Sequence, residues 1–237
     1  MKIEGRNSIY ELLKTDKEID KVLVQKDLKD DASKRLINVL RSHKVKVQIV
    51  DKYVIEKESE SKRNQGFIAY TSDYKYFDIE DILDSANENG FIVILNEILD
   101  PHNLGSIIRV CECAGVHGLI IGRDRSASVN DTVMRISAGA LNHVKVARVV
   151  NINNAIEKLK DNGYWVYAVE TNGGNIYKSD LKGKICLVIG GEDSGVKKLT
   201  KEKCDGVLTI PMFGKVNSLN ASVACGVAVY EVVRQRQ

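Results

Sequence analysis

Three segments of the chain hold the side chains best suited to chemistry, and each follows an apolar run. Residues 100–115 contain an Asp-Pro-His-Asn turn and a single arginine, residues 187–195 place three glycines around two acids, and residues 210–231 lead from a proline turn into a helix. That helix begins with three polar residues, whereas N-capping requires only one. Amides, hydroxyls and charges clustered in this way favour a site that binds and orients a polar ligand.

The individual residues in these segments also have purely structural interpretations. Asn103 is either a ligand-binding amide or an Asx turn before a helix, and Glu192 is either a site carboxylate or an acid stabilised by a helix dipole. Arg109 lies among apolar residues of a predicted helix, where an unpaired charge would be costly, so we expect it to have a functional partner. Gly190 and Gly191 indicate a close approach of the backbone to a ligand, in addition to any structural role.

The elements that must position these segments alternate between strands and helices from residue 90 onward. Near-continuous apolar runs predict strands at residues 91–95, 118–121, 144–147, 164–169, 185–189 and 207–210. Helices are predicted at residues 106–114, 153–162, 196–203 and 219–236. Apolar strands that alternate with helices predict an α/β fold with a parallel sheet covered on both faces. Ligands bind at the carboxyl ends of such strands, where all three segments begin.

The first third of the chain reads as a separate, smaller α/β unit. The pattern predicts helices at residues 5–13 and 33–43 and strands at residues 21–25, 45–50 and 66–71. We therefore predict a small domain at 1–75, a linker or a bridging helix at 76–89 and a larger domain at 90–237. Residues 1–75 hold 17 Lys/Arg against 13 Asp/Glu, and the remainder holds 18 against 19. This surplus is compatible with nucleic-acid binding, although it is weak evidence alone.

Composition and missing motifs argue against several classes of function. The 237 residues are 43% hydrophobic, which allows one large core or a large and a small one. No apolar run reaches the ~18–20 residues of a membrane span, and the N-terminus lacks a signal-peptide core. The five cysteines form no Cys-x-x-Cys pair, so we expect reduced thiols, no metal and a cytoplasmic protein. Dinucleotide, NTPase, zinc-protease and hydrolase motifs are missing.

The three segments resemble the signature motifs of the SpoU (TrmH-type) branch of the SPOUT RNA 2′-O-methyltransferases. The motifs are Asp-Pro-His-Asn-Leu-Gly-Ser-Ile-Ile-Arg, Ile-Gly-Gly-Glu-Asp-Ser-Gly, and Ile-Pro-Met followed by Ser-Leu-Asn-Ala-Ser, in the family's order and spacing across residues 90–237. Residues 1–75 resemble the L30e-like substrate-binding domain of two-domain members. The combination is most similar to the bacterial 23S rRNA guanosine 2′-O-methyltransferases.

This resemblance implies a parallel sheet whose C-terminal part forms a deep trefoil knot, with S-adenosylmethionine as cofactor and RNA as substrate. It implies a homodimer through the C-terminal domain, with active sites that draw residues from both subunits. No metal, membrane or DNA is expected. The implied catalytic positions are Asn103, Arg109, Glu192, Ser218 and Asn220. The implied cofactor-binding positions are Thr171, Gly190, Gly191, Ile210 and Leu219.

We expect Arg109 to clamp the RNA phosphate beside the target ribose rather than to act as a base, because a guanidinium stays protonated in proteins. Glu192 would orient a guanidinium or a helix start. Asn103, Ser218 and Asn220 would supply hydrogen bonds to the ribose, the cofactor and the knot backbone.

Three positions depart from the family pattern, and two alternative functions remain. Asn64-Gln-Gly replaces His-Gln-Gly, Ala221 replaces a common Val, and Asp193 stands where a small residue is common. None removes a catalytic position, although the change at Asn64 weakens the case for RNA contacts by the small domain. The implied target is a guanosine in the peptidyl-transferase P loop of 23S rRNA. The alternatives are a tRNA 2′-O-methyltransferase and a non-catalytic RNA-binding relative, and the intact motif residues disfavour the latter.

Overall fold

The computed structural model describes residues 2–15, 17–61, 63–72, 74–86, 88–192 and 195–237. The chain divides into two compact units, Met1–Lys75 and Tyr76–Gln237. Asp193, one of the departures from the family pattern, lies outside the described residues. None of the described helices has the length and apolar composition that a membrane span requires.

The first unit is a mixed four-stranded sheet with helices. Its elements are β1 (Lys2–Glu4), α1 (Arg6–Leu12), β2 (Glu18–Gln25), α2 (Asp31–Ser42), β3 (Val47–Val50), α3 (Lys52–Glu58) and β4 (Phe67–Ser72). The strand order is β1-β4-β2-β3, and only the β2–β3 pair is parallel. The predicted strands and helices are all present, and β1 and α3 are additions. Leu36 and Leu40 of α2 pack against Phe67 in a core of its own.

The second unit is built on a parallel sheet. Its elements are α4 (Ile79–Ser85), β5 (Phe91–Asn96), α5 (Pro101–Cys113), β6 (Gly118–Gly122), α6 (Asp131–Ile136), β7 (Lys145–Val149), α7 (Ile152–Asp161), β8 (Trp165–Asn175), β9 (Ile185–Gly190), α8 (Lys198–Lys203), β10 (Gly206–Thr209) and α9 (Ala221–Arg236). The strand order is β10-β8-β9-β5-β6-β7, and each described pair is parallel. The predicted parallel α/β sheet is confirmed, while the knot stays a prediction.

The order of the strands determines where a ligand site can form. Every residue of β5 is buried, as a strand covered on both faces requires. Strand β9 lies between β5 and β8, although it comes last of the three in the chain. The direction in which successive strands are added to the sheet therefore reverses beside β5. A crevice forms at such a point, outside the carboxyl ends of the strands.

The segment predicted as a linker is partly helix α4 of the second unit. Asp78 and Asp81 form a capping box at its start. The side chain of each aspartate accepts a hydrogen bond from the backbone N–H of the other. Ile79 and Ile82 then enter the main core of the second unit. Two apolar side chains three residues apart are enough to anchor one face of a short helix, even within an acidic segment.

Candidate active site

The first segment forms a helix earlier than the sequence predicts. Helix α5 begins at Pro101 rather than at residue 106, because Asp100 caps it by accepting a hydrogen bond from His102 N at 2.9 Å. Proline suits this first helical position since its missing N–H would have no partner there. Asn103 therefore lies in the first turn of α5 and is not an Asx turn before it.

Asn103, Glu192 and Asn220, one from each segment, form a closed triangle of hydrogen bonds. Asn103 Nδ2 donates to Glu192 Oε1 at 2.7 Å, and Asn220 Nδ2 donates to the same oxygen at 2.8 Å and to Asn103 Oδ1 at 3.0 Å. Asn103 is only 8% exposed. The sequence separations of up to 117 residues show that the tertiary fold alone brings these groups together.

Asn220 has both of the roles that the sequence left open. As the N-cap of α9, its Oδ1 accepts hydrogen bonds from Ser222 N at 2.9 Å and from Val223 N at 3.4 Å. Capping uses the amide oxygen, which directs the amide nitrogen toward Asn103 and Glu192. The same side chain thus begins the helix and belongs to the triangle.

Replacing Glu192 with alanine is expected to leave the amide of Asn103 without its acceptor. Because Asn103 is buried, the unpaired donor should lower the free energy of unfolding by about 1 kcal/mol. Glu192→Gln should recover most of that loss, since its carbonyl oxygen can accept the same bonds. Thermal denaturation of both variants measures this, and equal stability of the alanine variant and the wild type would contradict it.

Gly190 and Gly191 are required by packing against the protein's own backbone. A Cβ on Gly190 would lie 2.2 Å from Gly195 C, and one on Gly191 would lie 2.4 Å from Glu97 O. Gly191 N also donates to Asn96 O at 3.0 Å. The close approach at these two glycines is to another loop of the protein, and the approach of their backbone to a ligand stays a prediction.

A cavity of about 190 Å³ lies at the carboxyl end of β9 and beside residues 169–171 of β8, where the pairing of the two strands ends. It contains the five positions for which the resemblance implies cofactor binding: Thr171, Gly190, Gly191, Ile210 and Leu219. Glu192 and Ser218 also line it. The walls combine apolar side chains with exposed backbone, as ligand pockets commonly do.

Glu170 lines this first cavity and was missed by the sequence analysis. Its Oε1 accepts a hydrogen bond from Val196 N at 2.5 Å, and its carboxylate lies 3.8 Å from Lys201 Nζ. A Cβ on Gly195, which has a φ of 58°, would lie 2.3 Å from Glu170 Oε1. The available signal was an acid at the carboxyl end of the apolar run of β8.

A second cavity of about 290 Å³ adjoins the first. Asn103, Glu97 and Asp100 contribute to its lining, and it shares Gly191 and Glu192 with the first cavity. The hydrogen-bonded triangle thus lies where two cavities meet. Such an arrangement can hold two molecules side by side with polar groups at their junction.

In the part of the chain that the structure describes, Arg109 lines neither of the two cavities. It is exposed on α5, so its charge is not buried among its apolar neighbours in the sequence, and its functional partner stays a prediction. Ile107 and Ile108 are buried instead. Six residues after Asn103, Arg109 projects about 240° away around the helix. His102 is also exposed.

The cysteines of the described chain form neither a disulfide nor a metal site. All five are free, and the Sγ atoms of Cys111 and Cys225 lie 3.9 Å apart where α5 meets α9. Burial raises the pKa of the Cys111 thiol well above its ordinary value, which disfavours the reactive thiolate. Among the described residues, no group of three or more His, Cys, Asp or Glu is arranged to hold a metal.

Two family models match the chain in separate regions. The model described as "SpoU rRNA Methylase family" matches residues 90–230. The model described as "RNA 2'-O ribose methyltransferase substrate binding" matches residues 2–77. The first match contains the first two segments of the site and all but the last residue of the third.

Individual proteins resemble the chain over most of its length. A Staphylococcus saprophyticus relative bearing the name TrmH family tRNA/rRNA methyltransferase is 40% identical over 99% of this chain and 95% of its own. The SpoU methyltransferase AviRb from Streptomyces viridochromogenes was solved with AdoMet. Its structure aligns with a TM-score of 0.65 and 23% identity over 100% of this chain and 90% of its own. At this identity the likeness shows the fold alone. An A. aeolicus TrmH/SpoU tRNA-modifying enzyme aligns at a TM-score of 0.58 and 29% identity over 67% of this chain and 80% of its own.

Proposed function

The chain belongs to the SpoU rRNA methylase family and is an S-adenosylmethionine-dependent RNA methyltransferase, and we propose that it methylates a ribose 2′-hydroxyl of 23S rRNA in the cytoplasm. The hydrogen-bonded triangle of Asn103, Glu192 and Asn220 at the junction of the two cavities carries this proposal. It joins all three family segments at a point where two substrates can meet.

The first cavity fits the cofactor by the chemistry of its walls. Ile210 and Leu219 offer apolar surface for an adenine ring, and the glycine-rich backbone at residues 190–191 can meet the polar edges of a nucleoside. Glu170 and Ser218 bring a carboxylate and a hydroxyl for amino and hydroxyl groups. When bound, S-adenosylmethionine supplies the methyl group.

The residues of the triangle then act by orientation. A ribose hydroxyl is a weak nucleophile, so holding it in line is a large part of catalysis. We propose that the target ribose enters the second cavity, beside Asn103. Glu192 fixes the amides of Asn103 and Asn220, which limits the geometries that the ribose can adopt.

We propose a homodimer in which Arg109 serves the site of the partner subunit. Helices α5 and α9 pack closely, since a Cβ on Gly226 would lie 3.7 Å from Val110 Cγ2. Their outer faces carry Arg109 together with the exposed apolar residues Val223 and Tyr230, which are 51% and 48% exposed. Exposed apolar residues on α9, together with a charge on α5 that does not reach the cavities of its own chain, favour a second copy of the chain as the missing contributor.

The target within 23S rRNA is proposed to be a guanosine of the peptidyl-transferase P loop. Residues 2–77 match a substrate-binding domain, whereas the A. aeolicus tRNA-modifying enzyme aligns with only 67% of this chain. This difference disfavours the tRNA alternative without removing it. The non-catalytic alternative is disfavoured by the complete triangle.

Mass-spectrometric mapping of 2′-O-methylated nucleotides tests the proposal. Unmodified total RNA is incubated with the protein and isotope-labelled cofactor. Label on a guanosine of 23S rRNA is expected. Label confined to tRNA would establish a tRNA 2′-O-methyltransferase instead. The absence of label on any RNA would support a non-catalytic RNA-binding protein.

Removal of residues 1–75 is expected to weaken RNA binding while sparing the cofactor. The second unit has its own core and contains the whole first cavity. The truncated chain should bind S-adenosylhomocysteine with near-normal affinity in calorimetry. Its affinity for RNA should fall and depend less on salt, because fewer phosphates are contacted. Equal RNA affinity with and without this unit would refute its role.

A further inference from the structure

Three loops at the carboxyl ends of β5, β6 and β9 meet at Glu97. Glu97 Oε1 lies 2.6 Å from Lys197 Nζ and 3.1 Å from Arg125 Nε. Arg125 belongs to the loop after β6, and Lys197 precedes α8. Backbone bonding supports this meeting, since Ala127 N donates to Ile98 O at 2.7 Å. One carboxylate therefore holds two cations that come from distant parts of the sequence.

The backbone at Glu97 carries a strained conformation. Its φ of 64° is in the left-handed region, which non-glycine residues seldom adopt. Glycine would adopt this conformation without a Cβ penalty. A glutamate therefore adds its carboxylate at an energetic cost, and residues held in this way are concentrated at functional sites.

Arg125 and Lys197 adjoin the second cavity through their ion pairs with Glu97. Glu97 lines this cavity together with Asn103 and Glu192. The Arg125 side chain is 72% exposed, and that of Lys197 is 36% exposed, so both can meet a ligand arriving from solvent. Two positive charges against the one on Glu97 give this three-residue cluster a net positive charge, whereas Asp100 and Glu192 add two carboxylates to the lining of the cavity. An anion is therefore favoured beside the two cations rather than inside the cavity.

We propose that Arg125 and Lys197 bind an RNA phosphate next to the ribose that enters the second cavity, and that Glu97 is the positioning residue that fixes both cations. This inference rests on the proposed function, because it assumes that RNA occupies that cavity. Arginine's planar donors match phosphate geometry, while lysine adds a compact charge. A nucleotide is flanked by two phosphates, so this contact is separate from the one assigned to Arg109.

Salt-dependent RNA binding tests the two cations without requiring catalysis. Fluorescence anisotropy of the full chain with a labelled, single-stranded oligoribonucleotide of random sequence is measured over a series of KCl concentrations. Arg125→Ala and Lys197→Ala should each reduce the slope of log affinity against log salt by about 0.7, the value for one phosphate contact on a single strand. Calorimetry should show that S-adenosylhomocysteine binding is retained.

Lys160→Ala is the matched control. Lys160 Nζ pairs with Asp205 at 2.7 Å, and its side chain is 39% exposed, close to the values for Lys197. Asp205 bonds to the backbone of Val166 near the amino end of β8, away from the cavity. The control should keep the wild-type slope. Slopes for Arg125→Ala and Lys197→Ala equal to that of the control would overturn the inference.

Glu97→Gln separates positioning from simple support of the fold. This change keeps the shape of the side chain and removes its charge, so RNA affinity should be retained while single-turnover methylation slows. A loss of RNA affinity together with a fall in melting temperature would overturn the positioning role. Failure of the wild type to methylate any RNA would count against the proposed function, whereas the salt slopes would still decide whether the two cations bind phosphate.

Discussion

Replacing Arg109 with alanine is expected to reduce single-turnover methylation by on the order of 10²-fold or more, a typical cost of losing an electrostatic catalytic group. The guanidinium would stabilise the charge that develops on the 2′-oxygen and would hold the neighbouring phosphate. Cofactor affinity should be nearly unchanged, because Arg109 lines neither cavity of its own chain among the described residues. Arg109→Lys should remain slow, since an ammonium cannot reproduce a bidentate grip on phosphate.

Subunit mixing decides whether Arg109 acts within its own chain or across the proposed dimer. Arg109→Ala subunits are combined with subunits that carry a bulky replacement of Gly190 and cannot bind the cofactor. If the site is composite, each heterodimer has one cofactor site supplied with an intact Arg109, and activity should return. No recovery, with heterodimers shown to form, would mean that Arg109 serves its own chain.

Gly190→Ala is expected to damage both cofactor binding and stability. The new Cβ would lie 2.2 Å from Gly195 C and 2.4 Å from Val196 N, both of which are backbone atoms. These atoms cannot move freely, because Val196 N is bonded to Glu170 and Gly195 N to Gly191 O. Overpacking of this kind costs about 1–3 kcal/mol. Since the displaced loop borders the first cavity, affinity for S-adenosylhomocysteine should fall by about tenfold to a hundredfold.

Gly214→Ala provides the control for this prediction. It replaces a loop glycine of the same unit, and its Cβ would meet no atom within 4 Å. Melting temperature and calorimetric affinity should therefore stay close to those of the wild type. A Gly190→Ala protein indistinguishable from this control would show that the loop carrying Gly195 yields easily, contrary to the packing described above.

Residue types and their periodicity determined the architecture of the second unit. Strands buried on both faces must be apolar throughout, so runs such as those of β5 and β9 were located to within a residue or so. The three segments were placed at the carboxyl ends of the strands for the same reason. Asn103, Glu192 and Asn220 were named because the resemblance of the three segments to the family's motifs implied them as catalytic positions.

Local signals failed where a boundary depended on a few residues. Helix α5 starts five residues earlier than predicted because Asp100 and Pro101 act together as cap and first residue. The sequence did not predict that helix α4 belongs to the core, because Ile79 and Ile82 are its buried residues in that core. Short elements carry too little periodicity to stand out from an acidic background.

Only the tertiary structure decided how the site is assembled. The site depends on which strands are neighbours, because it is held by hydrogen bonds between side chains up to 117 residues apart and by the ion pairs at Glu97. Local sequence patterns do not reveal that β9 lies between β5 and β8. The sequence also could not show that Arg109 points away from its own cavities, since an apolar helix has an exposed face whose direction is set by packing. The glycines at positions 190 and 191 predicted a close contact. Only the tertiary structure showed that this contact is with the protein's own backbone.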